Sequence, residues 1–458
     1  MSVVGGLTLM GFLMRLPTLW QPLVEIHPWR QTQTAYTSLL YFRDGIDLLH
    51  PKLPVLGPPF EVPHEFPLFE ALATIPMELG LGPDTSVRLV GLMTFLATGV
   101  LLFVFMREMR IDFLGAAMAL AAFLFSPFAL LWGRTAIIEY LATAGCLGYV
   151  ILSLRWQSSG RPLWLAAAGI AGVLAMMVKP TTGGLYLLLP VVGWPHATSR
   201  RWVAGGAVAA IALLAGFTWT AYADAIKAGS PFTTDITTSA ISKEYALFVP
   251  NFDGQKWFEI AHRVQLLLAG QGLFIWLGLA GHALTHSEAR RVWALLFLMV
   301  IGSFFALLSY VFAHEYSLAA IAPVIAAVVG VGSSHLWQHR HRLVARGLAV
   351  ALLAAWMVSI GSTVNYWGRA YVSPVPDPDQ VLPVARFLRT DVPAAEPVAV
   401  VGRGWSPAIL YYADRVGFML QTESSLAAAL SYLRGARYTV IFRCPVKSPR
   451  CEVWRHLR

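Results

Sequence analysis

Long apolar runs separated by short polar segments dominate the hydrophobic pattern of this chain. A helix needs about 20 predominantly apolar residues to cross the hydrocarbon core of a bilayer. The pattern therefore predicts an all-α polytopic membrane protein with about eleven transmembrane helices. These helices are expected at residues 2–20, 84–106, 113–132, 136–154, 162–178, 182–195, 202–222, 263–284, 290–311, 315–334 and 344–365.

The composition strengthens this interpretation. Hydrophobic residues make up 57% of the 458-residue chain, charged residues make up 13%, and the mean hydropathy is +0.60. A soluble domain of average composition carries about 25% charged residues. The composition therefore excludes a water-soluble enzyme, a disordered protein and a nucleic-acid-binding protein, despite the formal net charge of +9.

The basic residues of the short loops predict the orientation of the helices. Lysine and arginine concentrate in cytoplasmic loops, and every second loop of this chain is rich in arginine. The N-terminus is therefore expected in the cytoplasm and the C-terminus on the outer side. The arginines concerned are Arg107, Arg110, Arg155, Arg161, Arg200, Arg201, Arg290, Arg291, Arg340, Arg342 and Arg346.

Two long polar loops are expected on the outer side. The first comprises residues 21–83 and the second residues 223–262. Within the first loop, the stretches 31–42 and 66–80 are amphipathic. Such stretches are typical of helices that lie along the membrane interface.

The end of the chain is a hydrophilic tail, residues 366–458. Its segments 397–401 and 438–442 have the composition of buried strands, and 426–433 has the pattern of a helix between strands. We therefore predict a small extracytoplasmic α/β domain that follows a transmembrane domain formed by residues 1–365.

Polar residues that topology does not explain collect on the predicted outer side. Ionisable residues at membrane depth are costly and usually face a cavity or a partner. We therefore predict one polar cavity that opens to the outer face. It is expected to gather the segments 25–34, 63–69, 133–139, 179–182 and 314–316.

The residue types in these segments suit transfer from a lipid phosphate. Glu25 and Glu65 can each act as a general base toward an acceptor hydroxyl. Arg30 and Arg134 can hold a phosphate or diphosphate by paired hydrogen bonds, and Lys179 can do so as a point charge. The combination of carboxylates, cations and an apolar surround favours this chemistry.

The same residues also have structural interpretations. Glu65 fits a cap of the following helix, because an acid is favourable at a helix N-terminus. Lys179 fits an interfacial lysine whose amine reaches toward water, and Arg134 can simply pair with Glu139. Interfacial packing is an alternative role for Trp29 and His314.

Other patterns favour structure over chemistry. Asp377 and Asp379 have DxD spacing, but they lie in a proline-rich linker, which predicts a turn rather than a metal site. The segment 402–406 lacks the flanking glycine pattern of a nucleophile elbow. Cys444 and Cys451 can form a disulfide or remain free thiols.

Six short motifs resemble those of a known family. The pattern W-R-Q-x-D-T matches residues 29–34, an acid two residues before a histidine matches Glu25 and His27, and E-F-P-L-aromatic matches 65–69. Looser matches occur at 134–139, 179–180 and 314–323. Together the motifs resemble the polytopic C-superfamily of glycosyltransferases, in its bacterial protein-mannosyltransferase and aminoarabinose-transferase-like branch.

The resemblance implies an inverting glycosyltransferase of the bacterial inner membrane. We expect no cofactor and no required metal, because a lipid phosphate leaves readily and the five segments already supply cations. Its partners would be a polyprenyl-phosphate sugar as donor, a lipid, glycan or protein as acceptor, and the surrounding membrane lipids. Glu25 and Glu65 would be catalytic. The substrate-binding residues would be His27, Trp29, Arg30, Gln31, Thr34, His64, Arg134, Glu139, Lys179, His314 and Tyr316.

Two departures from the family pattern and two rival functions complete the prediction. Gln33 stands where the family has an acid, and Phe66 stands where the aminoarabinose-transferase-like pattern has a lysine.

A transporter or flippase for lipid-linked sugars would need polar residues at the bilayer midplane and access from both sides. A non-catalytic envelope assembly protein could bind a partner through residues 405–412.

Overall fold

The computed structural model describes most of the chain. The described residues are 2–189, 199–284, 290–367, 377, 380–420, 429, 431, 438–442 and 452–456. Asp379, Cys444 and Cys451 lie outside the described residues, as does most of the helix expected at 426–433.

A helix occupies every predicted apolar run within the described residues. The first helices are α1 (Val3–Leu13), α2 (Pro28–Asp44), α3 (Leu68–Glu78), α4 (Pro83–Glu108), α5 (Phe113–Phe125), α6 (Pro127–Trp132), α7 (Glu139–Ser159), α8 (Pro162–Val178) and α9 (Pro180–Leu187). The next are α10 (Ser199–Ala228), α11 (Thr238–Tyr245), α12 (Gly254–Arg263), α13 (Leu273–Leu284), α14 (Arg290–Ala313), α15 (Ala322–Gln338) and α16 (Leu343–Trp367).

The number of clear transmembrane helices is smaller than expected. Within the described residues, four helices are long and apolar enough to cross a membrane: α4, α10, α14 and α16. A fifth results if α12 and α13, which are bent by 76° at a short break, form one span. Eleven spans are therefore not confirmed. One reason is that runs such as 113–132 are broken, because extended Ser126 ends α5 and caps α6.

Three of the arginine-rich turns meet at one end of the helical bundle. Arg155 Nε lies 2.7 Å from Glu108 Oε1, and Arg201 donates to the Gln157 carbonyl. These contacts join the end of α4, the end of α7 and the start of α10. The structure thus groups the basic turns, while their assignment to the cytoplasm stays a prediction.

The first outer loop differs from the expectation for its first amphipathic stretch. Residues 31–42 belong to α2, whose polar residues Gln31, Thr34 and Ser38 are buried. These side chains find internal partners; the Gln31 Nε2 donates to the Ile26 carbonyl at 2.7 Å. The expectation of an interfacial helix at 31–42 is therefore wrong, because α2 packs against α3 and α4 beneath the end of the chain.

The end of the chain forms a small α/β unit. Its helices are α17 (Val381–Thr390) and α18 (Ala408–Ala413), and its strands are β1 (Val398–Val401), β2 (Gly417–Leu420), β3 (Tyr438–Phe442) and β4 (Glu452–His456). The strand order is β2-β1-β3-β4; β1 pairs in parallel with β2 and β3, and β3 pairs antiparallel with β4. The two predicted strands are confirmed as β1 and β3. Asp377 accepts from the Val381 and Leu382 amides, which fits the predicted turn.

This C-terminal unit is bound to the end of the bundle where α4 begins. The hydroxyls of Tyr411 and Tyr412 donate to the Asp84 carboxylate at 2.6 and 2.8 Å. The Met419 amide donates to the Val55 carbonyl at 2.7 Å, which ties β2 to the first outer loop. One buried apolar cluster includes residues of both regions. The unit is therefore held in a defined position over α2 and α4.

Candidate active site

A cavity of about 780 Å³ lies between three parts of the molecule. The first outer loop and the helix ends supply one wall, the second outer loop supplies another, and the C-terminal unit supplies the third. Seven of the predicted site residues line it. They are Trp29, Arg30, His64, Glu65, Lys179, His314 and Tyr316.

Glu65 is the centre of a charged cluster at this cavity. Its Oε1 accepts from Arg30 Nη2 at 3.0 Å and from Lys179 Nζ at 2.6 Å. The side chain of Glu65 is 21% exposed, whereas those of Arg30 and Lys179 are 5% and 6% exposed. The carboxylate is thus the member of the cluster that is most accessible from the cavity. We call these three residues the open cluster.

The local backbone structure at Arg30 and at Lys179 directs both side chains toward Glu65. Arg30 lies in the first turn of α2. Pro28 suits the start of this helix because the first N–H groups of a helix have no partner within it, so a residue without an N–H loses no hydrogen bond there. Lys179 lies at the break between α8 and α9, with the non-helical torsions φ −156° and ψ 89°. Because the backbone is not helical at Lys179, its side chain does not follow the helical positions of α8 and α9. Its Nζ also lies 3.4 Å from Glu139 Oε1 and 3.4 Å from the Tyr310 hydroxyl.

Burial and nearby charges set the protonation of Glu65 and of its chain neighbour His64. Burial raises the pKa of Glu65, but the charges of Arg30 and Lys179 together outweigh burial and hold that pKa well below its usual range. Burial and the charge of Lys227 lower the pKa of His64 to about 3. At neutral pH the cavity therefore presents an ionised carboxylate beside a neutral imidazole.

Aromatic and histidine rings close the cavity beside the open cluster. His314 lies 5.7 Å from Trp29 and 5.5 Å from Tyr316 between ring centroids. Burial, followed by the charge of Lys179, lowers the pKa of His314 to about 3. These rings give the charged cluster an apolar surround, which strengthens electrostatic interactions there.

Glu25 lies in a separate, closed cluster. Its Oε1 accepts from Arg88 Nη2 at 2.7 Å and from Arg134 Nη1 at 3.2 Å. The Glu25 side chain is 2% exposed and both arginine side chains are 0% exposed. Glu25 and Arg134 therefore do not share the cavity with Glu65 and Lys179, contrary to the single cavity expected from the sequence. The reason is that Arg88, which the sequence interpretation did not include, holds Glu25 inside the fold.

Other predicted site residues also lie behind the cavity wall. Gln31 bridges two backbone groups. Its Oε1 accepts from the Ala136 amide at 3.2 Å, and its Nε2 donates to the Ile26 carbonyl just before α2. Thr34 donates to the Arg30 carbonyl at 3.4 Å. His27 starts α2 with a positive φ of 41° and packs on Trp132 and Tyr316. These contacts hold the segment behind the cavity wall in place.

Several residues that line the cavity were missing from the predicted set. One of them is Gln33, which stands where the family pattern has an acid and whose Oε1 accepts from Arg30 Nη1 at 2.9 Å. The others lie in the second outer loop, at the end of α14 or in the C-terminal unit, where no motif pointed to them. They include Asp235, Glu244, Tyr245, Tyr310, Trp405 and Ser406. Only the fold brings these segments to the open cluster.

The acidic residues of the cavity are not arranged as a metal site. Among the residues that the structure describes, no group of three or more His, Cys, Asp or Glu side chains converges closely enough to hold a metal ion.

Comparison with known proteins shows the fold. No protein-family model matches the chain, and no curated protein matches it significantly. The crystal structure of ArnT from Cupriavidus metallidurans bound to undecaprenyl phosphate matches with a TM-score of 0.65 and 14% identity, covering 96% of this chain and 92% of that chain.

A second similar structure is the archaeal oligosaccharyltransferase AglB from Archaeoglobus fulgidus in complex with an inhibitory peptide and a dolichol-phosphate. It matches with a TM-score of 0.60 and 12% identity, covering 96% of this chain and 69% of that chain. These likenesses confirm the fold that the sequence resemblance implied: the chain shares the fold of ArnT and AglB.

Proposed function

We propose that this protein is an integral membrane glycosyltransferase that transfers a sugar from a polyprenyl-phosphate donor to an acceptor. The observation that carries the proposal is the open cluster, in which Glu65 lies between Arg30 and Lys179 at the wall of a large cavity. Support comes from the fold shared with ArnT bound to undecaprenyl phosphate and with AglB bound to a dolichol-phosphate.

In the proposed reaction, the acceptor hydroxyl attacks the anomeric carbon of the donor sugar from the face opposite the phosphate. The new C–O bond forms as the bond between that carbon and the phosphate oxygen breaks. The acceptor proton passes to Glu65, and the bonding electron pair leaves with the lipid phosphate. The configuration at the anomeric carbon is thereby inverted.

Arg30 and Lys179 stabilise the charge that develops on the leaving phosphate. Preorganised cations in a water-poor site act strongly on such charge. A phosphate that takes these cations as partners also weakens their hold on Glu65, because its negative charge offsets theirs. The bound donor therefore raises the proton affinity of Glu65, which makes this carboxylate a better base when the substrate is present.

Glu25 receives a different role in this proposal. Two buried arginines occupy its carboxylate, and it lies outside the cavity wall. We assign Glu25 and Arg134 to holding the first outer loop against α4 and the α6–α7 segment, which positions Glu65. Glu139 is a second positioning residue, since its buried carboxylate lies beside the amine of Lys179.

The proposed location is the inner membrane of a bacterium, with the cavity and the C-terminal unit on the outer side and the N-terminus in the cytoplasm. The arginine-rich turns at the opposite end of the bundle support this orientation. A flippase is less well supported, because a carrier needs its binding site at the midplane between two accesses, whereas this cavity lies under the C-terminal unit.

The direct test is complementation of a strain that lacks the protein, followed by mass spectrometry of its envelope glycans and lipids. We expect the wild type to restore a glycan-linked mass difference that Glu65→Gln does not restore. Glu78→Gln, at the exposed end of α3, is the matched control and should restore it. A wild-type protein that changes no glycan would contradict the proposal.

The reaction is also expected to proceed without a metal ion, since the cations of the protein can neutralise the leaving phosphate. Dialysis of the purified protein against EDTA should leave turnover unchanged within about twofold. A loss of activity that Mg²⁺ or Mn²⁺ restores would show that a metal takes part.

A further inference from the structure

The loop at residues 402–406 occupies a distinctive place in the C-terminal unit. It follows β1, which lies between the parallel strands β2 and β3. Gly402 and Gly404 have positive φ values of 86° and 56°, so the chain turns sharply there. In open parallel sheets, ligands bind at the carboxyl ends of the strands where the strand order reverses. The loop lies at such an end and lines the cavity.

The side chain of Trp405 connects this loop with residues next to the open cluster. Its ring stacks on His64, with centroids 5.4 Å apart and planes inclined by 23°. It also meets the ring of Trp29 edge to face at 5.2 Å. His64 and Trp29 are the chain neighbours of Glu65 and Arg30. The indole is therefore fixed beside the charged groups to which the reaction is assigned, although it belongs to a different part of the chain.

The second outer loop supplies hydrogen-bond acceptors to the cavity. Asp235 and Glu244 belong to the second outer loop and line the same cavity. Small-molecule sites combine apolar and aromatic surfaces with a few placed polar groups. A sugar ring presents apolar C–H groups on its faces and hydroxyl donors around its edge. A cavity lined by both aromatic rings and carboxylates matches that distribution.

We propose that Trp405, with Trp29, forms the aromatic platform of a subsite that binds a sugar ring of the substrate. This inference rests on the proposed function and names the chemistry that the C-terminal unit recognises. The ring belongs either to the donor or to a glycan acceptor, because both must approach Glu65. The C-terminal unit is accordingly a wall of the binding site as well as a cover over it.

The test uses the full-length protein and the envelope of a strain that lacks it. An isoprenoid lipid extract of that strain supplies the donor, and the remaining envelope material supplies the acceptor. Transfer is measured by mass spectrometry while one fraction is varied and the other is held in excess. The variants are Trp405→Ala, Trp405→Phe and, as a matched control, Trp20→Ala at an exposed tryptophan.

We expect Trp405→Ala to raise the apparent KM for one fraction about threefold to tenfold, the range typical of a lost aromatic contact. Trp405→Phe should restore the KM to within about twofold, because it keeps an aromatic face. A rise for the lipid extract assigns the ring to the donor, and a rise for the envelope material assigns it to the acceptor. Trp20→Ala should match the wild type.

Two results would overturn the inference while leaving the proposed function intact. One is wild-type KM values for both fractions in Trp405→Ala. The other is a lower kcat with unchanged KM values and a lower melting temperature, which would show that Trp405 only packs the C-terminal unit in place. If the wild-type protein transfers nothing between the two fractions, the proposed function and this inference both fail.

Discussion

Two clusters of this protein have nearly the same composition but different surroundings. In the closed cluster, Glu25 accepts from Arg88 and Arg134, and none of the three side chains is more than 2% exposed. In the open cluster, Glu65 accepts from Arg30 and Lys179 and is 21% exposed at the cavity. A carboxylate between two cations is therefore compatible with a structural role and with a chemical one.

Charge balance and access separate the two roles. The arginines of the closed cluster have further acceptors. Arg88 donates to the backbone carbonyls of Gln21 and Pro22 at 3.0 and 2.8 Å, and Arg134 donates to the Gln21 side-chain oxygen at 3.4 Å. These bonds fix the cluster, and a substrate cannot reach it. In the open cluster, the lysine also faces Glu139, and a substrate that enters the cavity can exchange partners with the cations. Whether a substrate can reach the carboxylate therefore determines which cluster can take part in a reaction.

The largest effect is expected from removing the charge of the open cluster's acid. Glu65→Gln should lower kcat by about 10²- to 10⁴-fold, the usual contribution of a general base. The melting temperature should fall less than in Glu25→Gln, because Glu65 is partly exposed at the cavity and Lys179 keeps the Glu139 carboxylate beside it. Turnover with a labelled lipid-phosphate sugar measures the effect, and Glu78→Gln is the control. Turnover equal to wild type would remove Glu65 from the reaction.

The equivalent change in the closed cluster should act on stability. Glu25→Gln removes the carboxylate that lies between two buried arginines, and breaking a buried ion pair from one side costs about 3–5 kcal/mol. We expect a lower free energy of unfolding in detergent and a smaller yield of folded protein. If this variant instead remained as stable as the wild type but lost turnover, Glu25 would be the catalytic acid and the comparison would be reversed.

A smaller effect is expected from the cation that joins the open cluster to Glu139. Lys179→Met keeps most of the side-chain volume and removes the charge that faces the leaving phosphate. Loss of one preorganised group of this kind lowers kcat by about 10²-fold. Affinity for undecaprenyl phosphate, measured by a shift of the melting temperature, should fall as well. Unchanged affinity and turnover would show that the phosphate lies elsewhere.

The smallest effect concerns Glu70, which lies in α3 near the open cluster. Burial raises the pKa of Glu70 to about 7, above its ordinary value of 4.5. The folded protein therefore binds this proton more tightly than the unfolded chain does. The corresponding stability is present at pH 4, declines as the pH rises toward 7, and is absent above it.

Glu70→Gln removes this titration. The melting temperature of the wild type minus that of Glu70→Gln should consequently fall between pH 5 and pH 8. Glu78→Gln, at the exposed end of the same helix, should show no such trend. A difference that stays constant across this range would mean that Glu70 is ionised throughout, as an exposed glutamate is.

The sequence predicted the parts of the site that lie in continuous motifs. The segment 29–34 supplies Trp29 and Arg30, and the segment 63–69 supplies His64 and Glu65, because the reacting groups stand next to recognisable prolines and aromatics. The same motifs include Gln31 and Thr34, whose side chains bond to backbone groups and do not line the cavity. A motif identifies a segment, but which face of its helix meets the cavity depends on packing.

Some features were beyond prediction from a single chain. Part of α2 is buried against the C-terminal unit, since the Tyr36 hydroxyl donates to the Arg415 carbonyl and the Tyr36 ring meets that of Tyr411. Trp405 belongs to a loop that carries no recognised motif, and it reaches His64 only because the sheet and α18 place it there. Contacts between distant segments leave no local pattern in the sequence.

What the sequence determined by itself was the apolar class of the protein, the helical runs, the arginine-rich end and the choice of Glu65, Arg30 and Lys179. These follow from hydropathy, periodicity and residue type, which are properties of short segments. The tertiary structure decided that Glu25 belongs to a closed cluster and that the C-terminal unit forms a wall of the cavity. It did so because burial and the pairing of charges depend on which distant segments the fold brings together.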